Sequence, residues 1–167
     1  GERAVAYWRE LGTDVTVSFK VNPPEPRIRL ATAKRPDGGF VVDCISTDGG
    51  GIPRNVIVQM GLALVKLQTL TMKEFVQKTS YNPARILGLT RKGHFRPGAD
   101  ADISVLSLET QQPIMSLVNG KVIMHKGYVC GSGAQAITTA AGAAFIKEKG
   151  LSPVIVDLAS SGFYHPL

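Results

Sequence analysis

The spacing of apolar and polar positions changes several times along the chain, and each spacing predicts an element. Apolar side chains recur at helical intervals from Ala4 to Leu11 and stop at Gly12, a residue suited to capping a helix C-terminus. Asp14 to Val21 then alternates and is rich in β-branched residues, which predicts a strand. Prolines and an Asp-Gly-Gly make residues 22–39 a long loop by the same reading. Phe40 to Thr47 is nearly continuous in apolar character, the pattern of a strand covered on both faces. Helical spacing resumes at Ile52, with Pro53 in the first turn and Val56, Met60, Ala63 and Leu67 along one stripe. Thr71 and Glu74 fit a capping box that opens a second helix. Asn82 reads as the cap of a third, with Pro83 at its first position and Gly88 at its end.

The texture changes at Lys92. A glycine-punctuated turn leads into a strand from Ala101 to Leu108, and Asn119-Gly120 between two apolar runs signals a hairpin. Residues 133–150 read as one alanine-rich helix ending at Gly150, and 152–160 as a last strand. No internal repeat is visible. The chain therefore divides into 1–91, 92–131 and 132–167, and its class is α/β.

Composition narrows the class without changing it. The 167 residues suffice for one domain or parts of two, and no apolar run is long enough to cross a bilayer. The first residues carry charges where a signal peptide needs an apolar core. Gly1 in place of Met reads as the start of a processed or cut product. The net charge of +6 is spread along the chain. The one basic cluster, Leu89 to Gly98, has a single aromatic residue, so neither nucleic acid nor membrane is the expected partner. Cys44 and Cys130 lack metal-site spacing and read as buried free thiols of a reducing compartment, the cytoplasm. His94, His125 and His165 are far apart and read as surface or loop residues.

One stretch calls for chemistry. The apolar run through Ile45 ends in a single carboxylate, Asp48, followed by Gly49, Gly50 and Gly51. On its own, Thr-Asp-Gly-Gly is ordinary turn chemistry. Asp100 and Asp102, just after Pro97-Gly98, read as turn and strand-entry residues, and Arg54 and Asn55 as solvent-facing.

Taken in order, "STDGGG", then helices, then "NPARILGL", "KGHFRPGADADISVL" and "VNGKVIMHKG" resemble the C-terminal third of an amidohydrolase-superfamily enzyme. The nearest texture is the dihydroorotase, hydantoinase, isoaspartyl dipeptidase and N-acyl-D-amino-acid deacylase branch. The likeness covers about residues 40 to 130. It implies a C-terminal fragment of a metal-dependent (β/α)8 barrel plus part of a small antiparallel β domain. It also implies hydrolysis of a C–N bond that is not an ordinary peptide bond, in a cyclic amide, a ureide or an N-acyl amino acid. Asp48 stands where the last barrel strand of such enzymes ends in an aspartate. There it would touch a divalent metal, zinc being the expected ion, and shuttle the proton of the bound water to the leaving nitrogen. Gly49, Gly50 and Gly51 would let the backbone pass close to a small-molecule amide substrate.

The chain also departs from that pattern. The early His-x-His, the two further histidines and the bridging lysine carboxylate have no counterpart here. One aspartate cannot hold a catalytic metal, so the chain by itself is expected to bind none and to be inactive. A partial barrel would leave bare strand edges, so it should form a homo-oligomer, rearrange, or pack its tail where strands are missing. Two other readings stay open: a non-catalytic scaffold built on the same barrel, and an unrelated small α/β binding module.

Overall fold

The computed structural model describes residues 1–12, 24–47, 56–131, 135–160 and 162. The predicted strand Asp14–Val21 and the residues 48–55 lie outside these.

The first helix, α1, runs Glu2–Leu11 and ends at Gly12, as its spacing predicts. None of its residues is buried, and Tyr7 and Trp8 are more than half exposed. The second helix, α2 (Pro24–Thr32), replaces the expected loop. Its prolines fall in the first turn, where a missing N–H costs nothing. Glu25, between them, pairs with Arg29 one turn on at 2.8 Å. The chain then doubles back through a tight turn, in which Gly39 N–H donates to Asp37 Oδ1 at 2.9 Å and Lys34 bridges Phe40.

Beyond Phe40 the predicted strand does not form. Residues 41–47 join no ladder among the described residues. Val42 O, Asp43 O and Ile45 N–H are met instead by a helical rod, and Val41 N–H donates to Ala33 O at 3.0 Å. An apolar run tells that a segment is covered, and here the cover is helical.

That rod has three parts: α4 (Met72–Val76), a π-helical turn (Gln77–Tyr81) and α5 (Asn82–Ile86). The capping box is as predicted, with Glu74 N–H donating to Thr71 Oγ1 at 3.2 Å and Thr71 N–H to Glu74 Oε2 at 2.8 Å. Asn82 is not a cap. Its backbone is helical and its N–H donates to Gln77 O, five residues back. Pro83 explains the widening: it has no N–H for Thr79, and its ring would strike that carbonyl in a regular turn. Gly88, at φ +68°, follows the C-cap Leu87.

Helix α3 (Ile57–Lys66) packs across the rod. Its buried residues are Gly61 and Leu62, whereas Val56, Met60 and Leu67 of the expected stripe are exposed. Nearly every position of α3 is apolar, so periodicity alone could not choose the inward face. Gly61 is chosen by contact: a Cβ there would lie 2.2 Å from Phe75 Cε2. Leu62, Leu70, Phe75 and Ala84 form the core of this part.

Four antiparallel strands follow in the order β1-β2-β3-β4: Ile103–Ser107, Gln112–Val118, Lys121–His125 and Tyr128–Val129. Asn119 and Gly120 both have positive φ, as a two-residue hairpin turn requires. The expected tail helix is mostly absent. Its β-branched Ile137 and Thr138 belong to β5 (Ala136–Thr138), and only α6 (Ala143–Glu148) is α-helical. β5 pairs in parallel with β6 (Pro153–Ile155), within the predicted last strand. This tail sheet closes on itself and does not extend 40–47; it meets the helical part where Gly162 N–H donates to Arg85 O at 3.0 Å.

Candidate functional site

The segment that leads to Asp48 is strapped to the rod by side chains. Phe75, Lys78 and Asn82 share one face of the rod, three and then four residues apart, and all are buried. Lys78 has no exposed surface at all. Its Nζ donates to Val42 O and lies 4.0 Å from the centroid of the Phe40 ring. Burial holds the Lys78 ammonium below the ordinary lysine pKa, against the pull of Asp43, Cys44 and Glu74. One turn on, Asn82 Nδ2 donates to Asp43 O at 2.8 Å. The backbone adds a third tie, Ile45 N–H to Lys78 O at 3.1 Å. Lys34 reaches the other side of this assembly, 5.2 Å from the Phe40 ring and 2.5 Å from Glu74 Oε1.

Past these ties, Ile45, Ser46 and Thr47 form one wall of a cleft of about 390 Å³. Ile28 and Ala31 of α2 face them, and Ile57, Met60 and Leu64 of α3 close the base. The lining is mainly aliphatic; its polar residues are Arg27, Ser46 and Thr47, the last two toward Asp48 in the chain. The size and the apolar lining with few polar groups suit a small organic ligand.

The predicted site residues Asp48, Gly49, Gly50 and Gly51 lie outside the described residues, as do Arg54, Asn55 and His165. Among the described residues, no group of three His, Cys, Asp or Glu side chains could hold a metal ion. The donor set of the described residues therefore does not fit a metal centre. His94 fastens its own turn, with Nε2 2.8 Å from Thr90 O and Nδ1 accepting from Arg96 N–H at 3.2 Å.

Asp100 and Asp102 are the turn and strand-entry residues expected of them. Lys92 Nζ lies between them, 3.1 Å from Asp100 Oδ2 and hydrogen-bonded to Asp102 Oδ2. Arg91 flanks Asp100 at 2.9 Å, and Asp102 Oδ1 accepts from Asn119 N–H at 2.9 Å. The Lys92 hydrogen bond lowers the Asp100 pKa. At Asp102 burial is the largest influence and raises the pKa, but the bonds from Lys92 and Asn119 outweigh it and the net shift is downward. These carboxylates fasten the 91–102 turn to the β2–β3 hairpin.

The thiols correct another expectation. Cys130 is exposed and Cys44 only half-buried, its pKa raised by burial and by Asp43. Sequence reasoning also missed Lys78 and read Asn82 as a cap. The available signal was their spacing from Phe75, which puts two polar residues on an apolar helix face.

The chain matches the profile of the "Amidohydrolase family" over residues 28–136. A dihydroorotase of Methanothermobacter thermautotrophicus is 26% identical over 163 aligned positions, covering 73% of this chain and 36% of that protein. One of Desulforapulum autotrophicum is 34% identical over 112 positions, covering 56% of this chain and 26% of that protein. One of Syntrophus aciditrophicus is 54% identical over 48 residues, covering 29% of this chain and 11% of that protein. The chain thus spans little more than a third, at most, of the length of these curated relatives. No helix among the described residues is long and apolar enough to cross a membrane.

Proposed function

Because this chain belongs to the amidohydrolase family, we propose that it is the C-terminal part of a hydrolase that opens a non-peptide C–N bond. Cyclic amides and ureides are the first substrates to test, given the dihydroorotases among its relatives; N-acyl amino acids come second. Residues 1–91 would supply the last strands and helices of the barrel, 92–131 a segment of the small β domain, and 132–167 an added tail. The antiparallel sheet β1–β4, confined to residues 103–129, supports a separate β segment, while the named elements among the described residues of 1–91 are all helical. The enzyme would work in the cytoplasm.

The observation that carries the proposal is the family match running through the 45–47 wall of the cleft and the aspartate that follows it. Asp48 takes the proton of the attacking water and returns it to the nitrogen as the C–N bond breaks. Gly49 to Gly51 leave room for the substrate beside that carboxylate. The divalent metal that the resemblance implies would need ligands from outside the described residues.

The test is turnover by the whole enzyme of dihydroorotate, a hydantoin and an N-acyl-D-amino acid, with Asp48→Asn as the variant. Loss of a proton shuttle should lower kcat by about 10² to 10⁴ and leave KM within a few-fold. Near wild-type turnover by Asp48→Asn would remove the assigned role. No turnover of any amide by the wild type would favour a non-catalytic scaffold.

A further inference from the structure

We propose that Lys78 and Asn82 are positioning residues for the reaction: they fix the backbone of Val42 to Ile45 on the helical rod, and with it the cleft wall that leads into Asp48. The catalytic part of this inference rests on the role given to Asp48 above.

Three observations carry it. Two side chains one turn apart take successive carbonyls, those of Val42 and Asp43, and the Lys78 carbonyl takes the Ile45 N–H. Three of the four residues Val42 to Ile45 are thus tied to the rod through their backbone, two by a carbonyl and one by its N–H. That fixes their rotation as well as their position, in a segment with no strand neighbour among the described residues.

The second is the identity of residue 78. Lys78 is wholly buried. A methionine of similar length would fill the same space without the cost of taking an ammonium out of water. What a methionine cannot do is donate to Val42 O. The Phe40 ring face offsets part of that cost.

The third is distance along the chain. Ile45 is both the last tied residue and the first of the cleft wall. Asp48 is the third residue after it, a reach of at most about 10 Å at ~3.3 Å per residue. A displacement at the ties is passed along that short lever to the carboxylate, and a misplacement of about 1 Å can cost on the order of 10² in rate.

The experiment uses the whole enzyme with Lys78→Met, Asn82→Leu, Asp48→Asn and the Lys78→Met/Asp48→Asn double variant. Two readouts are taken: steady-state kinetics, and amide hydrogen exchange over residues 43–47 with residues 57–66 as an internal control. In Lys78→Met, kcat should fall at least tenfold with KM within threefold. Exchange over 43–47 should quicken at least tenfold, with no change over 57–66. The double variant should turn over at the rate of Asp48→Asn alone, within twofold, because both changes disable one device. Unchanged exchange over 43–47 overturns the inference, and so do losses that multiply in the double variant. If Lys78→Met does not fold, Asn82→Leu keeps the bulk, removes only the donor to Asp43 O, and carries the same two readouts. Wild-type turnover by Asp48→Asn would defeat the Asp48 reading instead, while the exchange data judge the clamp independently.

Discussion

Glu74 offers a prediction whose size and sign both follow from the structure. Its Oε2 accepts from Thr71 N–H at 2.8 Å and from Thr71 Oγ1 at 3.0 Å, and its Oε1 accepts from Lys34 Nζ at 2.5 Å. The Lys34 hydrogen bond, followed by the Thr71 backbone bond, lowers the Glu74 pKa from 4.5 to about 2. At roughly 1.4 kcal/mol per unit, that drop sets a ceiling of about 3.5 kcal/mol. The Lys34 side chain is 44% exposed, so solvent screening reduces the figure to about 1–2 kcal/mol. A capping box alone is worth about 1 kcal/mol, which agrees. Because the folded pKa is depressed, the contribution is complete above the unfolded value and is lost as pH falls through the folded one. Glu74→Gln keeps the shape and removes the charge. Urea unfolding of wild type and variant should differ by about 1–2 kcal/mol at pH 7, and the difference should shrink toward zero between pH 4.5 and about 2. An equal difference at pH 3 and pH 7 would refute the reasoning, since it could not come from the charge.

Two further perturbations probe the packing and the β part. Gly61→Ala places a Cβ 2.2 Å from Phe75 Cε2; overpacking of about 1–3 kcal/mol should exceed the ~1 kcal/mol gain in helix propensity, and thermal denaturation should show a lower Tm. Asp102→Ala removes both the Lys92 partner and the acceptor of Asn119 N–H. It should cost about 1–2 kcal/mol and speed exchange of the Asn119 amide, and an unchanged Asn119 amide would count against the fastening role.

What could be read from the sequence was local chemistry. The Thr71–Glu74 box, the Asn119-Gly120 turn and the Asp100/Asp102 strand entry each depend on a few residues close in the chain, so their signals survive without tertiary context. The misreadings share a different cause. The apolar run Phe40–Thr47 predicts a strand that does not form beyond Phe40, because such a run reports cover and not the kind of cover. Helix α3 hid its inward face because most of its positions are apolar, and only the Gly61–Phe75 contact selects it. Pro24 and Pro26 suggested a loop, although prolines in a first turn are compatible with helix. At the candidate site, the family likeness points to Asp48 and Gly49 to Gly51, which lie outside the described residues, whereas the buried Lys78 is visible only when residues 42 and 78 are brought together in space.

The π-helical turn Gln77–Tyr81 also sets angular phase. It behaves as one residue spliced into an otherwise regular helix. Removing that residue would let the helix tighten and would swing everything after it by about 100° relative to α4. Asn82 would then no longer address the same flank as Phe75 and Lys78, and Arg85, whose carbonyl receives the tail at Gly162, would turn with it. A single-codon deletion here would therefore act as a change of gearing between the strap and the tail, although it takes away none of the side chains that make either contact.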